Sequence, residues 1–88
     1  MAKYKIEFKK SVAKDLRAIP NDQVKMILDK ISALADDPRP PGCEKLSGQE
    51  RYRIRQGVYR VVYSISDGLL LVTVVKIAHR KHVYQRKS

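Results

Sequence analysis

The chain has 88 residues, which is enough for one domain around a single core and excludes a second domain or a large ligand cavity. Nineteen Lys and Arg residues stand against nine Asp and Glu residues, giving a formal net charge of +10 and a pI of about 10.0. This basic balance predicts a polyanionic partner, and it favours nucleic acid over an acidic membrane surface.

Cysteine usage and hydropathy indicate the compartment. Cys43 is the only cysteine, so an internal disulfide is excluded and a reducing environment is favoured. Because Cys43 lies in a proline-rich stretch with no helix start after it, we interpret it as a loop thiol and not as a nucleophile. The N-terminus lacks the apolar run of a signal peptide, and the longest apolar run, 69–75, is far shorter than the ~20 residues of a membrane span. We expect a soluble, cytoplasmic protein with no membrane partner.

The first half of the chain predicts one strand and a helical hairpin. Apolar and charged residues alternate over 3–9, which is typical of a short half-buried strand. Ser11 is predicted to cap a helix that runs to Ala18 and is ended by Pro20. Asn21 or Asp22 then caps a second helix. Its apolar residues recur at helical spacing on one side: Val24, Ile27, Leu28, Ile31, Leu34 and Ala35.

The second half predicts an irregular loop followed by three strands. Three prolines and Gly42 predict that 36–48 has no regular structure. Strands are expected over 51–55, 58–66 and 69–77, joined by two-residue turns at Gln56-Gly57 and Asp67-Gly68. The predicted fold class is therefore α+β: an N-terminal strand, a helical hairpin, then an antiparallel β-meander with the helices packed on one sheet face.

The two faces of this meander differ in composition. Two-residue turns would place Arg53 opposite Arg60 and Arg55 opposite Val58, and opposed residues point to the same side. One face is apolar, and we assign it to the helices; its members are Tyr52, Ile54, Tyr59, Val61, Tyr63, Ile65, Leu70, Val72 and Val74. We interpret its three tyrosines as core residues and not as base-stacking residues. The other face carries Arg51, Arg53, Arg55 and Arg60, with Val58, Val62, Leu71, Thr73, Val75 and Ile77 between them.

The arginine-bearing face predicts an anion site. Opposed arginines are mildly destabilising in a sheet, and no acidic residue is expected on this face, so folding alone does not explain them. Several guanidinium groups could instead bind phosphate oxygens in bidentate fashion. The alternative is a solvated face with its arginines splayed apart. The apolar residues on the same face predict partial cover by the tail or a partner. Continuation of the last strand would bring His79 and Arg80 beside this face.

Three segments together resemble a known family. They are YRIR at 52–55, GVYRVVY at 57–63 and IAHRKHVY at 77–84. This combination resembles the RelE/ParE toxin superfamily, and within it the RelE branch. The order of elements also matches, with Leu46-Ser47-Gly48 leading into the sheet, so that the resemblance covers nearly the whole chain.

The resemblance implies a toxin of a type II toxin–antitoxin system, with a microbial RNase-like fold, ribosome-dependent cleavage of mRNA in the A site and a cognate antitoxin. The catalytic positions of the family correspond to Arg53, Arg55, Arg60, Arg80 and Tyr84. We add as RNA-binding candidates Lys45, Arg51, His79, Lys81 and His82. The chain departs from some relatives, which carry lysines at the first two positions, a longer loop after that strand or a longer C-terminal helix. Other relatives use a Glu–His pair, which the sequence does not reveal; Glu50 is the nearest acid to the sheet and has no evident role.

RNA can be cleaved by its own 2′-hydroxyl without a metal or cofactor, provided that the oxygen is aligned and deprotonated and the phosphorane is stabilised. Arginines suit the stabilising role because they are positively charged. They do not suit the role of base, because their guanidinium groups stay protonated and cannot accept another proton. Tyr84 is the candidate base, because neighbouring cations would lower its pKa. His79 or His82 is the alternative acid or base. Two histidines without a neighbouring carboxylate are a weak metal-ligand set, so no metal site is expected.

Two other functions remain open from the sequence. A ParE-like toxin shares the fold but inhibits DNA gyrase and cleaves no RNA. A non-catalytic RNA-binding module would use most of the same arginines to hold phosphates. In either toxin reading the antitoxin is expected to be acidic and largely disordered when free. We expect it to cover the basic face or to displace the tail from that face.

Overall fold

A computed structural model describes residues 3–46 and 50–79. The elements are β1 (Lys5–Phe8), α1 (Lys10–Arg17), α2 (Asn21–Ala33), β2 (Glu44–Lys45), β3 (Arg51–Gln56), β4 (Tyr59–Ser66) and β5 (Leu71–His79). The strands form one sheet in the order β1-β5-β4-β3-β2, in which β1 is parallel to β5 and the other neighbours are antiparallel. The predicted α+β class, with an N-terminal strand, a helical hairpin and a meander, is confirmed.

The helical hairpin begins slightly earlier than predicted. Lys9 is the N-cap of α1 and makes no side-chain capping bond, so the predicted cap at Ser11 is wrong. Pro20 is the N-cap of α2, again without a side-chain bond, in place of the predicted Asn21 or Asp22. The ring of Pro20 fixes its φ at −56°, close to the helical value, so it ends α1 and leads directly into α2.

The core lies between the helices and one face of the sheet. The apolar side of the hairpin contributes Val12, Ile19, Ile27, Ile31 and Leu34, and the sheet contributes Ile54, Val61, Tyr63, Val72, Val74 and Ile77. Tyr52, Tyr59 and Ile65 pack against this cluster, so the face assigned to the helices is confirmed with one exception. Leu70 precedes β5 and is 40% exposed, so its predicted place on this face is wrong. Tyr63 is fully buried and its hydroxyl donates to the carbonyl of Pro38 at 2.7 Å. Tyr63 is therefore a core residue, as predicted, and Tyr52 and Tyr59 are partly buried against the core on the predicted face.

The first hairpin turn lies one residue later than predicted. Gln56 pairs with Tyr59, so the turn is Gly57-Val58 and not Gln56-Gly57. Gly57 adopts φ +62° at the first central position, where a two-residue hairpin turn favours glycine. The register consequently shifts by two residues, which pairs Arg55 with Arg60 and leaves each side chain on its predicted face.

The second hairpin turn is longer than predicted. Ser66 pairs with Leu71, so the turn spans 67–70 instead of Asp67-Gly68. The positive φ of +51° falls on Leu70 and not on Gly68. The carboxylate of Asp67 accepts hydrogen bonds from Tyr4 at 2.6 Å and from Arg39 at 3.0 and 3.3 Å. These bonds attach the first residue of the turn to two other parts of the chain.

A register shift divides β5 into two parts. Tyr63 pairs with Val74 and Val62 pairs with Lys76, so β5 carries one extra residue at this point. Because side chains alternate along a strand, one inserted residue exchanges the faces beyond it. Ile77 is consequently only 2% exposed within the helix-facing core, and its predicted place on the arginine-bearing face is wrong.

The loop before the sheet is more ordered than its composition predicted. Within the predicted loop 36–48, Glu44 and Lys45 form β2, which pairs with Arg53 and Tyr52 of β3. Arg39 lies over the ring of Tyr52, with 5.2 Å from its guanidinium carbon to the ring centroid. These contacts fasten the loop to the sheet. Among the described residues, no helix is long and apolar enough to cross a membrane.

Candidate nucleic-acid interface

Four arginines occupy the sheet face opposite the helices, which we call the arginine face: Arg51, Arg53, Arg55 and Arg60. Three of them alternate along β3, so neighbouring members are about 7 Å apart along the strand. The fourth lies on β4, directly opposite Arg55. The predicted clustering of these four side chains on one face is confirmed, whereas the predicted partner of Arg60 is corrected from Arg53 to Arg55.

The members of the arginine face differ in exposure. Arg60, at the centre of the sheet, is only 4% exposed, whereas Arg55 and Arg51 are exposed. Arg53 pairs with Val62 on β4, two residues along that strand from Arg60. Arg53 is therefore diagonal to Arg60 on this face. The face thus combines a buried central guanidinium with two that solvent or a ligand can reach.

A carboxylate also lies on this face, contrary to the expectation that it carries no acid. Glu44 of β2 pairs directly with Arg53 and forms an ion pair with the Nη2 atom of that arginine. The hydrogen bond from Arg53, followed by its charge, holds the pKa of the Glu44 carboxyl below its ordinary value, and Arg55 and Arg60 contribute further attraction. Glu44 is therefore a carboxylate at neutral pH, and three arginines attract its negative charge.

Sequence reasoning missed Glu44 because the prolines around it predicted a loop without strand pairing. It named Glu50 as the acid nearest the sheet; Glu50 instead lies 3.7 Å from the Nζ of Lys45 and is largely exposed. The alternation of Glu44 and Lys45 just before the first meander strand was the available signal. Two residues are too few for a periodicity to be recognised.

The ion pair leaves hydrogen-bonding capacity on Arg53. Its side chain is 20% exposed, and its Nε–H is buried and makes no hydrogen bond to any of the residues described. The Glu44 side chain is 49% exposed and occupies a position that a phosphate oxygen could take. A phosphodiester could therefore bind the arginine face by replacing this carboxylate on Arg53 while also contacting Arg55.

The remaining described candidates lie apart from the arginine face. Lys45 pairs with Tyr52, and paired residues point to the same side of the sheet, so Lys45 lies on the helix-facing side. His79 pairs with Tyr59 on that same side and makes an edge-to-face ring contact with it at 5.6 Å. The predicted placement of His79 beside the arginines is thus wrong, because the register shift in β5 exchanges the faces. The candidates Arg80, Lys81, His82 and Tyr84 lie outside the described residues.

Comparison with known proteins identifies the family. A family model described as the ParE toxin of the type II toxin–antitoxin system parDE matches residues 6–84. The chain belongs to the RelE/ParE toxin superfamily. It is also 30% identical over 87 residues to the toxin RelE1 of Methanocaldococcus jannaschii, an alignment that covers 94% of this chain and 97% of the relative. The protein is thus a RelE-like toxin of a type II toxin–antitoxin system.

Solved structures agree with this assignment. The RelE–RelB complex of the archaeon Pyrococcus horikoshii contains a chain with 28% identity and a TM-score of 0.80, with 99% of this chain and 100% of that chain covered. A mutant of the E. coli toxin RelE in the free state superposes with a TM-score of 0.76 at 24% identity, covering 93% of this chain and 87% of that one. The second likeness supports the fold alone. The suspected membership of the superfamily is confirmed.

Proposed function

We propose that this toxin is a metal-independent endoribonuclease that cleaves mRNA in the A site of the ribosome and thereby inhibits translation. The observation that carries the proposal is the grouping of Arg53, Arg55 and Arg60 on one sheet face, at positions that resemble the catalytic set of the RelE branch. Membership of the superfamily and the net charge of +10 support it.

The chemistry follows from the arginine face. The 2′-hydroxyl of one nucleotide attacks its own 3′-phosphorus, the P–O5′ bond breaks, and the 5′-oxygen leaves with a proton. Guanidinium groups that fork onto the non-bridging oxygens stabilise the extra charge of the phosphorane. Arg55 is exposed and suits this contact. The buried Arg60 adds a charge at the sheet centre, where the lower local dielectric strengthens its attraction for the phosphorane.

Two kinds of described side chain do not suit the proton transfers. The arginines remain protonated, and His79 lies on the other side of the sheet. Arg80 and Tyr84 stay as predictions for further charge stabilisation and proton abstraction. Lys45, Arg51, Lys81 and His82 stay as predicted RNA contacts, among which Arg51 lies on the arginine face.

The test uses ribosomes stalled on a defined mRNA with an empty A site, with cleavage mapped by primer extension. Wild-type protein is compared with Arg55→Ala and Arg60→Ala, and with Arg17→Ala as a matched control on the exposed side of α1. We expect cleavage that requires the ribosome, falls at least about tenfold in the two sheet variants and is unchanged in the control. Thermal unfolding of each variant separates lost chemistry from lost folding, which matters most for the buried Arg60. No cleavage by the wild-type protein would reject the proposal.

A ParE-like inhibitor of DNA gyrase is the second candidate, because the matching family model carries the ParE description. Such a toxin has no need for a phosphate-binding arginine cluster. A supercoiling assay with purified gyrase distinguishes the two: inhibition by the wild-type protein and by Arg55→Ala alike, together with intact mRNA on ribosomes, would favour the gyrase target. RNA binding without turnover would instead favour a non-catalytic module.

We infer that a cognate antitoxin silences the toxin by covering the arginine face. The structural relative from P. horikoshii is a RelE–RelB complex, and the high positive charge of this chain suits an acidic partner. Mixing the toxin with its antitoxin at increasing ratios is expected to abolish cleavage and to release a labelled RNA strand. A stable complex that still cleaves RNA at the wild-type rate would overturn this inference.

A further inference from the structure

The outer edge of β3 borders a cleft that the arginine face alone does not explain. β2 pairs with only two residues of β3, Arg53 and Tyr52, so the described part of the chain provides no strand partner for 54–56 on that side. The cleft lies between this edge, α2 and the loop before β2. Its volume is about 370 Å³, and its lining residues are Lys30, Pro41, Gly42, Glu44, Ile54 and Arg55. This volume is within the range of small-molecule sites, roughly 300–1,000 Å³.

The side chains that line the cleft carry a net positive charge. Lys30 and Arg55 supply two cations, and neither forms a salt bridge with a carboxylate of the described residues. Glu44 supplies one negative charge, but its carboxylate is already paired with Arg53. An anion that enters the cleft therefore meets two cations and one carboxylate that is engaged elsewhere.

The cleft is continuous with the arginine face. Arg55 and Glu44 belong to both, because they line the cleft and lie on the arginine-bearing side of the sheet. A strand that lies across the arginine face and passes over the edge of β3 therefore enters the cleft and approaches α2. Pro41 is exposed and offers apolar surface against which a base can pack, while the exposed Lys30 is placed for a phosphate.

We propose that this cleft is a subsite for one nucleotide of single-stranded RNA, adjacent to the nucleotide held on the arginine face. Lys30 binds its phosphate and the Pro41 ring contacts its base. The inference rests on the proposed function insofar as RNA is the ligand. It assigns to α2 a role in substrate binding that follows from its position at the edge of the sheet.

The test measures binding of fluorescent RNA by anisotropy, without ribosomes. One RNA has about three nucleotides and one has about eight, which brackets the reach of a small binding surface. The variants are Lys30→Ala, Lys30→Arg and Lys25→Ala. Lys25 is the matched control because it lies on the same helix, is also exposed and does not line the cleft.

Lys30→Ala is expected to bind the longer RNA about fivefold more weakly at 0.1 M salt, with a salt-dependence slope smaller by about 0.7, the values for one lost phosphate contact on a single strand. The trinucleotide is expected to bind within twofold of wild type, Lys30→Arg is expected to retain binding, and Lys25→Ala is expected to match wild type on both RNAs.

Three outcomes would overturn the subsite. They are equal losses in Lys30→Ala and Lys25→Ala, equal losses on the short and long RNAs, and loss of antitoxin affinity without loss of RNA affinity. The experiments distinguish failure of the subsite from failure of the cleavage proposal. If Lys30 contributes specifically to the longer RNA but ribosome-bound mRNA stays intact, the cleft stands and the cleavage proposal fails. If cleavage occurs without any contribution from Lys30, the reverse holds.

Discussion

The ion pair between Glu44 and Arg53 leads to a prediction opposite in sign to that for most substitutions at a binding site. Glu44→Gln removes one negative charge from the arginine face while preserving the shape and hydrogen-bonding capacity of the side chain. Because Glu44 and a phosphate compete for the same Nη2 atom, we expect this variant to bind RNA more tightly than wild type.

The size of the effect follows from counting charges. Releasing Arg53 from its carboxylate adds one cation that can neutralise a phosphate, and each such contact on a single strand changes the slope of log K against log salt by about −0.7. Relative to 1 M salt, this gives about a fivefold gain at 0.1 M and about a threefold gain at 0.2 M. The assay is anisotropy of a fluorescent RNA over that salt range. The matched control is Asp22→Asn, which removes an exposed carboxylate on α2 that forms no salt bridge with a described residue.

Unchanged or weaker binding in Glu44→Gln would refute this reasoning. Such a result would mean that the carboxylate mainly holds Arg53 in its binding orientation. Single-turnover cleavage on ribosomes adds a second distinction. Tighter binding with a normal cleavage rate would make Glu44 a competitor of the phosphate only, whereas tighter binding with a slower rate would indicate that the carboxylate also accepts a proton.

Three further predictions concern stability. Tyr63→Phe removes the buried hydrogen bond to the Pro38 carbonyl and is expected to lower the free energy of unfolding by about 1–2 kcal/mol in urea titrations; no change would mean that water replaces the hydroxyl. Ile31→Ala opens a cavity at a position 1% exposed and is expected to cost about 2–5 kcal/mol, whereas Ile31→Val should cost about 0.5–1.5 kcal/mol. Asp67→Asn is expected to lower the melting temperature at pH 7. The hydrogen bonds from Arg39 are the main reason that the pKa of Asp67 is lower in the folded protein than in the unfolded chain. The stability that the Asp67 carboxylate contributes is therefore fully present above the pKa of the unfolded chain, and it is lost as the pH falls through the pKa of the folded protein. The gap between variant and wild type should therefore close in acid, and a constant gap would contradict the assignment.

The sequence predicted the fold well where patterns are long. Helical spacing in α2 and the strand-rich second half predicted the layers, and alternation predicted both faces of β3 and β4. The position of the first turn was wrong by one residue, yet the faces were right, because the resulting register error was two residues and side chains repeat every two residues. The pairing of Arg60 depended on that turn, so it was the detail that failed.

Other features of the site depend on contacts between distant parts of the chain. The extra residue in β5 has no glycine to mark it, and it moved His79 and Ile77 to the helix-facing side. Glu44 reaches the arginine face through a strand of only two residues. Both features arise from tertiary pairing, which local periodicity does not encode. The predicted roles of the tail residues depend on the resemblance to the RelE branch.

The register shift in β5 narrows the search for the group that deprotonates the 2′-hydroxyl. It separates His79 from the arginine face by the thickness of the sheet, so the imidazole at that position does not face a phosphodiester bound there. Glu44 lies on the correct face but has a lowered pKa, which makes it a weak base unless phosphate binding displaces it from Arg53. Tyr84 is another candidate, and His82 stays the alternative predicted from the sequence. A double-mutant cycle of Glu44→Gln and Tyr84→Phe on the single-turnover rate separates the roles of Glu44 and Tyr84. Additive losses would assign independent roles, whereas a double variant no slower than the slower single variant would place both groups on one proton-transfer path.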